Sequence, residues 1–336
     1  MKSIAFFETT KREEQFLRKK FGRNISVQFF EEKIQDVPVQ KFIKTDVISV
    51  FIYSVVTKEL LAKMKNLTLV ATRSTGFNHI DVKEAAKRGI TVMNVPYYGE
   101  NTVAEHTFAL ILSLSRNIHK AYVRTLRDDF SLKGLQGFDL KGKILGVIGA
   151  GSIGLHVIKM ARGFGLKVIA YDERQNHFLA ETLDFNYIPL QELLERSDII
   201  SLHCPSNERT HHLLNMENIS AVKKGALFIN TARGDLIETR ALHYALNNGI
   251  FAGAGLDVFE GEELVQEENQ MLTRNVPVEK LQALLQKNIL LKMENVILTP
   301  HMAFDSVEAV ERILQTTVDN IFAFESGSPK YVVNAV

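Results

Sequence analysis

The chain has 336 residues, enough for two domains rather than one core. Its 40 Lys and Arg against 39 Asp and Glu leave a formal net charge of +1, which excludes a general electrostatic pull toward nucleic acid or an anionic membrane. The single cysteine, Cys204, excludes an intrachain disulfide and a thiolate metal cage, and suits a reducing cytoplasm.

In chain order, residues 4–7 form an apolar run too short for a signal-peptide core, followed at once by charge. They read as a strand, as do 47–52 and 67–72, with a helix pattern over 81–88. An apolar helix pattern spans 102–124; Glu105 and His106 interrupt it, so it falls short of a membrane span. Beyond it, strands at 143–148, 166–171, 198–203, 226–230, 253–258 and 296–299 alternate with helix patterns at 153–164, 190–195, 239–247 and 278–286. Several strands are apolar on both faces, as buried parallel strands are. The alternation predicts an α/β fold with right-handed crossovers. No repeat of solenoid period is present.

The segment 143–172, KILGVIGAGSIGLHVIKMARGFGLKVIAYD, places Gly149, Gly151 and Gly154 in GxGxxG spacing between a strand and a helix. A second strand then ends in Asp172, 18 residues beyond Gly154. Gly149 permits a tight turn, Gly151 admits a pyrophosphate to the backbone, and Gly154 lets helix and strand pack closely. The helix N-terminus offers N–H groups and a positive dipole end to the phosphates. Asp172 would accept the adenosine ribose hydroxyls and repel a 2′-phosphate, so NAD is favoured over NADP.

This unit lies mid-chain. We therefore expect a cofactor domain over 102–301 inserted into a first domain of 1–101, to which 302–336 return. Two crossings would leave a ligand cleft between the domains.

Three further segments carry chemistry: INTARGDLIET with Arg233, GAGLDVFEGEE with Asp257 and the carboxylates Glu260, Glu262 and Glu263, and ILTPHMAFDS with His301. All three follow predicted strands, at the sheet edge where such folds bind ligands. Alone, each residue is as well explained by a surface arginine, a solvated acid or a turn histidine. Together with TRSTGFNHID, VPYYGENTVAEH, SRNIHKAY, FSLKGLQGF and SDIISLHCP, they make the chain resemble the D-isomer-specific 2-hydroxyacid dehydrogenases over almost its whole length. Within them it is most similar to the fermentative D-lactate branch.

The resemblance implies two Rossmann-like or flavodoxin-like parallel-sheet domains with the active site in the interdomain cleft, and NAD as cofactor. The substrate would be a small 2-oxo or 2-hydroxy acid. Arg233 would clamp the substrate carboxylate with a paired fork and polarise the keto oxygen. His301 would exchange the proton. Glu262, the fifth residue after Asp257, would orient His301 and stabilise its protonated form. Asp257 would contact the nicotinamide carboxamide. Ser152 and Ile153 would lie under the pyrophosphate, Cys204, Pro205 and Thr210 along the adenosine and ribose, and Thr231 and Ala232 by the nicotinamide. Thr75 and Gly76 would hold the substrate carboxylate, with Tyr98 and Phe304 closing the pocket. Cys204 should be a buried, inert thiol.

Two features bear on the resemblance in detail. Gly99-Glu100 stand where many relatives of the D-lactate branch have Ser-Pro after Tyr98, and the segment 263–294 is long, a length similar to that of the D-lactate branch rather than the phosphoglycerate or formate branches, or else one that serves oligomer contacts. The alternatives are a dehydrogenase for a larger 2-oxo acid and an NAD-sensing co-repressor-like binding protein. No metal site is expected, because His203 and the pairs His211/His212 and His79/His106 do not converge by spacing. A homodimer is expected about 102–124, where Phe108, Leu110, Ile111, Leu112 and Leu114 occupy more than one helix face.

Overall fold

Apolar runs set between helical segments give two separate parallel sheets. The computed structural model describes residues 3–22, 25–262 and 278–334. It divides into two units, Met1–Tyr98 with Ser306–Val336, and Gly99–Asp305.

The first unit carries strands β1 (Ser3–Phe6), β2 (Ser26–Phe29), β3 (Val47–Val50), β4 (Leu69–Thr72) and β5 (Thr91–Met93), in the order β2-β1-β3-β4-β5. Every pairing among them is parallel. β3 and β4 are buried on both faces, which requires apolar layers on each side. One layer gathers Phe7, Ile34, Phe42 and Leu61; the other gathers Phe6 and Leu17 with Leu314, Val318 and Ile321. The last three belong to the Val307–Glu325 helix, whose start is fixed by the Ser306 hydroxyl accepting from Ala309 N. Residues beyond that helix stay with this sheet. Asn334 accepts from Val92 N at 2.8 Å and donates to the Ile90 carbonyl at 2.8 Å.

The second unit holds β6 (Ile144–Ile148), β7 (Lys167–Tyr171), β8 (Asn186–Tyr187), β9 (Ile199–Leu202), β10 (Ala226–Asn230), β11 (Phe251–Leu256) and β12 (Val296–Leu298). They lie in the order β12-β11-β10-β9-β6-β7-β8, all parallel. The strand order reverses between β6 and β9, and a crevice opens at the carboxyl ends of the strands beside such a reversal. The helix Glu100–Ser115 packs on β10 and β11. Gly255 lets it approach, because a Cβ there would stand 2.9 Å from the Leu110 Cβ.

Several expectations change here. The pattern over 102–124 is not one helix: it breaks at Arg116–Asn117, where Asn117 takes a left-handed φ of 51°, and resumes as Ile118–Thr125. Nor do Phe108, Leu110, Ile111 and Leu114 await a second chain. They are buried within the unit, against Leu145, Val157, Leu227 and Ile229. The sheet, the Ser152–Gly163 helix and β11 cover more than one helix face, so a wide apolar stripe is satisfied within the chain. The unit boundaries at 98/99 and 305/306 lie outside the expected 101/102 and 301/302. Glu100 already opens the helix, and Asp257 ties Met302 and Ala303 to the second unit. The expected helix at 278–286 runs further, over Val278–Lys292. Of the long segment 263–294, residues 263–277, with Glu263, lie outside the described residues.

Candidate active site

The glycine turn sits between β6 and the Ser152–Gly163 helix, and its three glycines are required for different reasons. Gly149 has a φ of +96°, and a Cβ there would stand 2.5 Å from Cys204 N. A Cβ on Gly154 would stand 2.0 Å from the Gly149 carbonyl oxygen, so helix and turn touch. Gly151 differs: a Cβ there would meet nothing within 4 Å. The protein's own packing does not need that hydrogen, so the open space above it fits a ligand that approaches the backbone. Gly151 is also the N-cap of the helix and makes no side-chain cap, which leaves its first turn for an anion.

Asp172 directly follows β7, beside this turn. Its Oδ2 accepts from Ala150 N at 2.8 Å and its Oδ1 from Arg174 N at 2.8 Å. A carboxylate has about four lone-pair sites, so acceptor capacity remains for hydroxyls. Across the turn, burial pushes the Cys204 thiol up to about 11, with the Asp172 and Asp235 charges acting the same way. The thiol is inert at neutral pH. Pro205 and Thr210 form one closed turn, the Thr210 hydroxyl donating to the Pro205 carbonyl at 2.6 Å. These groups fit a dinucleotide: an uncrowded turn for the pyrophosphate and a carboxylate at the second strand for the ribose.

The remaining polar residues follow β10, β11 and β12, three neighbouring strands. After β10, Asn230 accepts from Ala232 N at 3.0 Å and donates to the Arg233 carbonyl at 2.8 Å, which pins the backbone at Arg233. The half-buried Arg233 guanidinium bonds the Ala232 carbonyl at 2.6 Å and, among the described residues, forms no ion pair. A partly buried cation without a carboxylate is costly unless an anion arrives. The Thr231 hydroxyl lies 3.0 Å from that of Thr107.

After β12, His301 follows Pro300 with a left-handed φ of 53°. Such a conformation costs on the order of 1–3 kcal/mol and persists only where its surroundings over-determine it. Here they do. His301 N donates to the Asp257 carbonyl at 2.9 Å, and the Asp257 side chain, 1% exposed, accepts from Met302 N, Ala303 N and the Thr299 hydroxyl. His106 Nε2 lies 3.1 Å from that hydroxyl and braces it. Asp257 therefore has first a structural task, setting the turn that presents His301.

After β11, two acidic side chains part company. Glu262 Oε1 accepts from His301 Nδ1 at 2.7 Å, and Glu262 Oε2 accepts from Phe259 N at 3.3 Å. Glu260 turns away, bonding His212 Nε2 at 2.7 Å and the Thr239 hydroxyl at 2.5 Å. Burial would raise the Glu260 carboxyl, but the hydrogen bonds from Thr239 and His212 outweigh it and hold the group below its ordinary value. With Nδ1 committed to Glu262, the other ring nitrogen of His301 bonds no group among the described residues. The ring is set up to give or take a proton there.

Of the other predicted residues, Ser152 is exposed, and Ile153, Ala232 and Phe304 are half-buried, all in the second unit. Thr75, Gly76 and Tyr98 belong to the first unit, in the loops after the adjacent strands β4 and β5. Thr75 is held by its hydroxyl on the Val95 carbonyl, Gly76 by the Ser74 hydroxyl on its carbonyl, and Tyr98 by Arg312 Nε on its carbonyl. Sequence reasoning missed Asn230 and His106. Asn230 ends a strand three residues before Arg233, which is a usable signal; His106 offers none, since its partner is 193 residues away. It also missed that His211 and His212 do converge with a carboxylate, Glu260. Pairing by spacing could not see this, because the third member comes from another strand's loop.

Residues 108–303 match the family model described as D-isomer specific 2-hydroxyacid dehydrogenase, NAD binding domain. A 2-hydroxyacid dehydrogenase homolog of Haemophilus influenzae is 37% identical over 309 residues, 90% of each chain. A glyoxylate reductase of Korarchaeum cryptofilum is 35% identical over 90% of this chain and 84% of its own. The solved structure of D-lactate dehydrogenase from Aquifex aeolicus, complexed with NAD and lactic acid, superposes with a TM-score of 0.87 at 36% identity over 99% of both chains.

Proposed function

This chain belongs to the D-isomer-specific 2-hydroxyacid dehydrogenase family, an NAD-dependent one, and from that premise we propose that it interconverts pyruvate and D-lactate. The observation that carries the chemistry is the 2.7 Å bond between His301 and Glu262, beside the strand that leads to Arg233, a guanidinium with no ion pair among the described residues. NAD, when bound, supplies or accepts the hydride at the substrate carbon. Everything else falls to the chain. Gly149, Gly151, Ser152, Ile153 and Gly154 hold the pyrophosphate, Asp172 the ribose, and Cys204, Pro205, Thr210, Thr231 and Ala232 the flanks of the cofactor. Asp257 is left one lone pair for the carboxamide. Arg233 clamps the substrate carboxylate and draws charge onto the keto oxygen. His301, oriented by Glu262, delivers the proton to that oxygen in reduction and removes it in oxidation. Thr75 and Gly76 assist with the carboxylate, and Tyr98 and Phe304 limit substrate size.

In this reading the Gly99–Asp305 unit binds the cofactor. Pyruvate is favoured by the D-lactate-like motifs and by the similarity to the Aquifex aeolicus enzyme. The test is NADH oxidation with pyruvate, glyoxylate, 2-oxoisocaproate and phenylpyruvate, followed by chiral analysis of the product. A highest kcat/KM for pyruvate with D-lactate as product supports the proposal; a higher value for glyoxylate or a bulky acid overturns it.

We further assign the enzyme to the cytoplasm as a homodimer. Among the described residues no helix is long and apolar enough to cross a membrane. The apolar side chains offered for dimerisation are Tyr122 (64% exposed), near the end of the Ile118–Thr125 helix and of the expected 102–124 stretch, and Leu126 (68%), Phe130 (76%) and Leu132 (83%) beyond that helix. A monomeric mass by light scattering at micromolar concentration refutes the dimer.

A further inference from the structure

His211 and His212 lie in the turn after β9, and Glu260 lies in the turn after β11. None has a task in the reaction proposed above. One ligand atom from each falls within 4.8 Å of the others. His212 Nε2 and Glu260 Oε1 already touch at 2.7 Å. The second carboxylate oxygen of Glu260 accepts from Thr239 N at 3.2 Å and from the Thr239 hydroxyl at 2.5 Å, which aims the first oxygen at the imidazole. His212 is held in a left-handed conformation, φ 50°, by its N–H on the Asp235 carbonyl at 2.8 Å. The exposed His211 ring stacks on that of His212 with centroids 3.9 Å apart.

We infer that His211, His212 and Glu260 form a binding site for one divalent transition-metal ion of the zinc class. Two imidazoles and a carboxylate suit zinc, nickel or copper; magnesium and calcium prefer all-oxygen shells. Zinc holds nitrogen at about 2.0–2.1 Å and oxygen at about 2.0–2.2 Å, which puts neighbouring ligand atoms about 3.3 Å apart in a tetrahedral shell. The His212–Glu260 pair needs only to open slightly to admit the ion in place of its shared proton. His211, exposed, swings in as the third ligand, and water completes the shell. Thr239 is the outer partner that keeps the ligating carboxylate oriented. Only Gly261, with a φ of +79°, separates Glu260 from Glu262, so an ion here also braces the turn that presents Glu262 to His301.

The experiment is isothermal titration of the untagged full-length protein with zinc chloride in a non-chelating buffer, with magnesium chloride in parallel. Wild type is expected to bind one zinc per chain at this site and no magnesium. His211→Ala removes an exposed ligand without disturbing the fold and should weaken that site by about ten- to a hundredfold. Glu260→Gln should abolish it. His177→Ala, which removes an exposed histidine elsewhere, should leave it intact. Tm should rise with zinc in wild type and not in His211→Ala. Absence of a saturable zinc site, or a site that survives His211→Ala unchanged, overturns the inference.

Discussion

Replacing Glu262 by Gln tests the proton relay with least disturbance, because the amide keeps the size and one acceptor oxygen but removes the charge. Reduction needs the protonated ring of His301, and the Glu262 carboxylate stabilises it across a 2.7 Å contact. Two unit charges about 4 Å apart attract by about 4 kcal/mol at an effective dielectric of about 20. The His301 and Glu262 side chains are 23% and 17% exposed, so solvent screens part of this. About 2 kcal/mol is then lost, in line with the roughly 1.5–3 kcal/mol range for hydrogen bonds to charged groups. That corresponds to about thirtyfold in kcat/KM for pyruvate reduction. Glu260→Gln serves as control, because Glu260 bonds His212 and Thr239 instead. The assay is the loss of NADH absorbance at neutral pH, with circular dichroism and Tm to show that both variants fold. If folded Glu262→Gln stays within about threefold of wild type, or Glu260→Gln loses as much, the relay is wrong.

Arg233→Lys keeps the positive charge but loses the paired fork, and should cost about 3 kcal/mol, or a hundredfold or more in kcat/KM; near-normal turnover would remove Arg233 from the carboxylate clamp. The enzyme should prefer NAD over NADP by at least about tenfold, and Asp172→Ala should relax this; equal specificity constants for the two cofactors in wild type refute the ribose assignment. Burial holds His203 at about 3, against 6.5 for a free ring. The unfolded chain therefore takes up the proton first, and this residue's contribution is whole above pH 6.5 and is lost as pH falls toward 3. At pH 5 the loss is at most roughly 2 kcal/mol, set by the distance from 6.5 down to that pH. Urea unfolding should show a shallower loss between pH 6.5 and 5 in His203→Gln; an unchanged slope counts against it.

What the sequence by itself determined was whatever is local. The glycine turn and Asp172 were readable because strand, turn, helix and second strand occupy 30 consecutive residues, and each glycine answers a requirement set within that span. The central strands were readable because burial on both faces demands continuous apolar runs, as in β3, β9 and β10. The edge and terminal pieces were not. β2 alternates exposed and half-buried positions, while β5 and β8 have three and two residues, so neither length nor apolarity marks them. The Val307–Glu325 helix, too, had no predicted counterpart, although Ser306 caps it. Only the tertiary structure decided which groups meet. Only the resemblance, counting five residues from Asp257, singled out Glu262; the chain's own pattern does not separate it from Glu260, two residues away on the same turn. Packing does, by bringing His301 to one and, from 48 residues away, His212 to the other. The break at Asn117 and the burial of Phe108 and Leu110 were likewise set by neighbours distant in sequence. A periodic pattern reports how many faces of a helix are apolar, but what covers them depends on contacts the pattern does not contain.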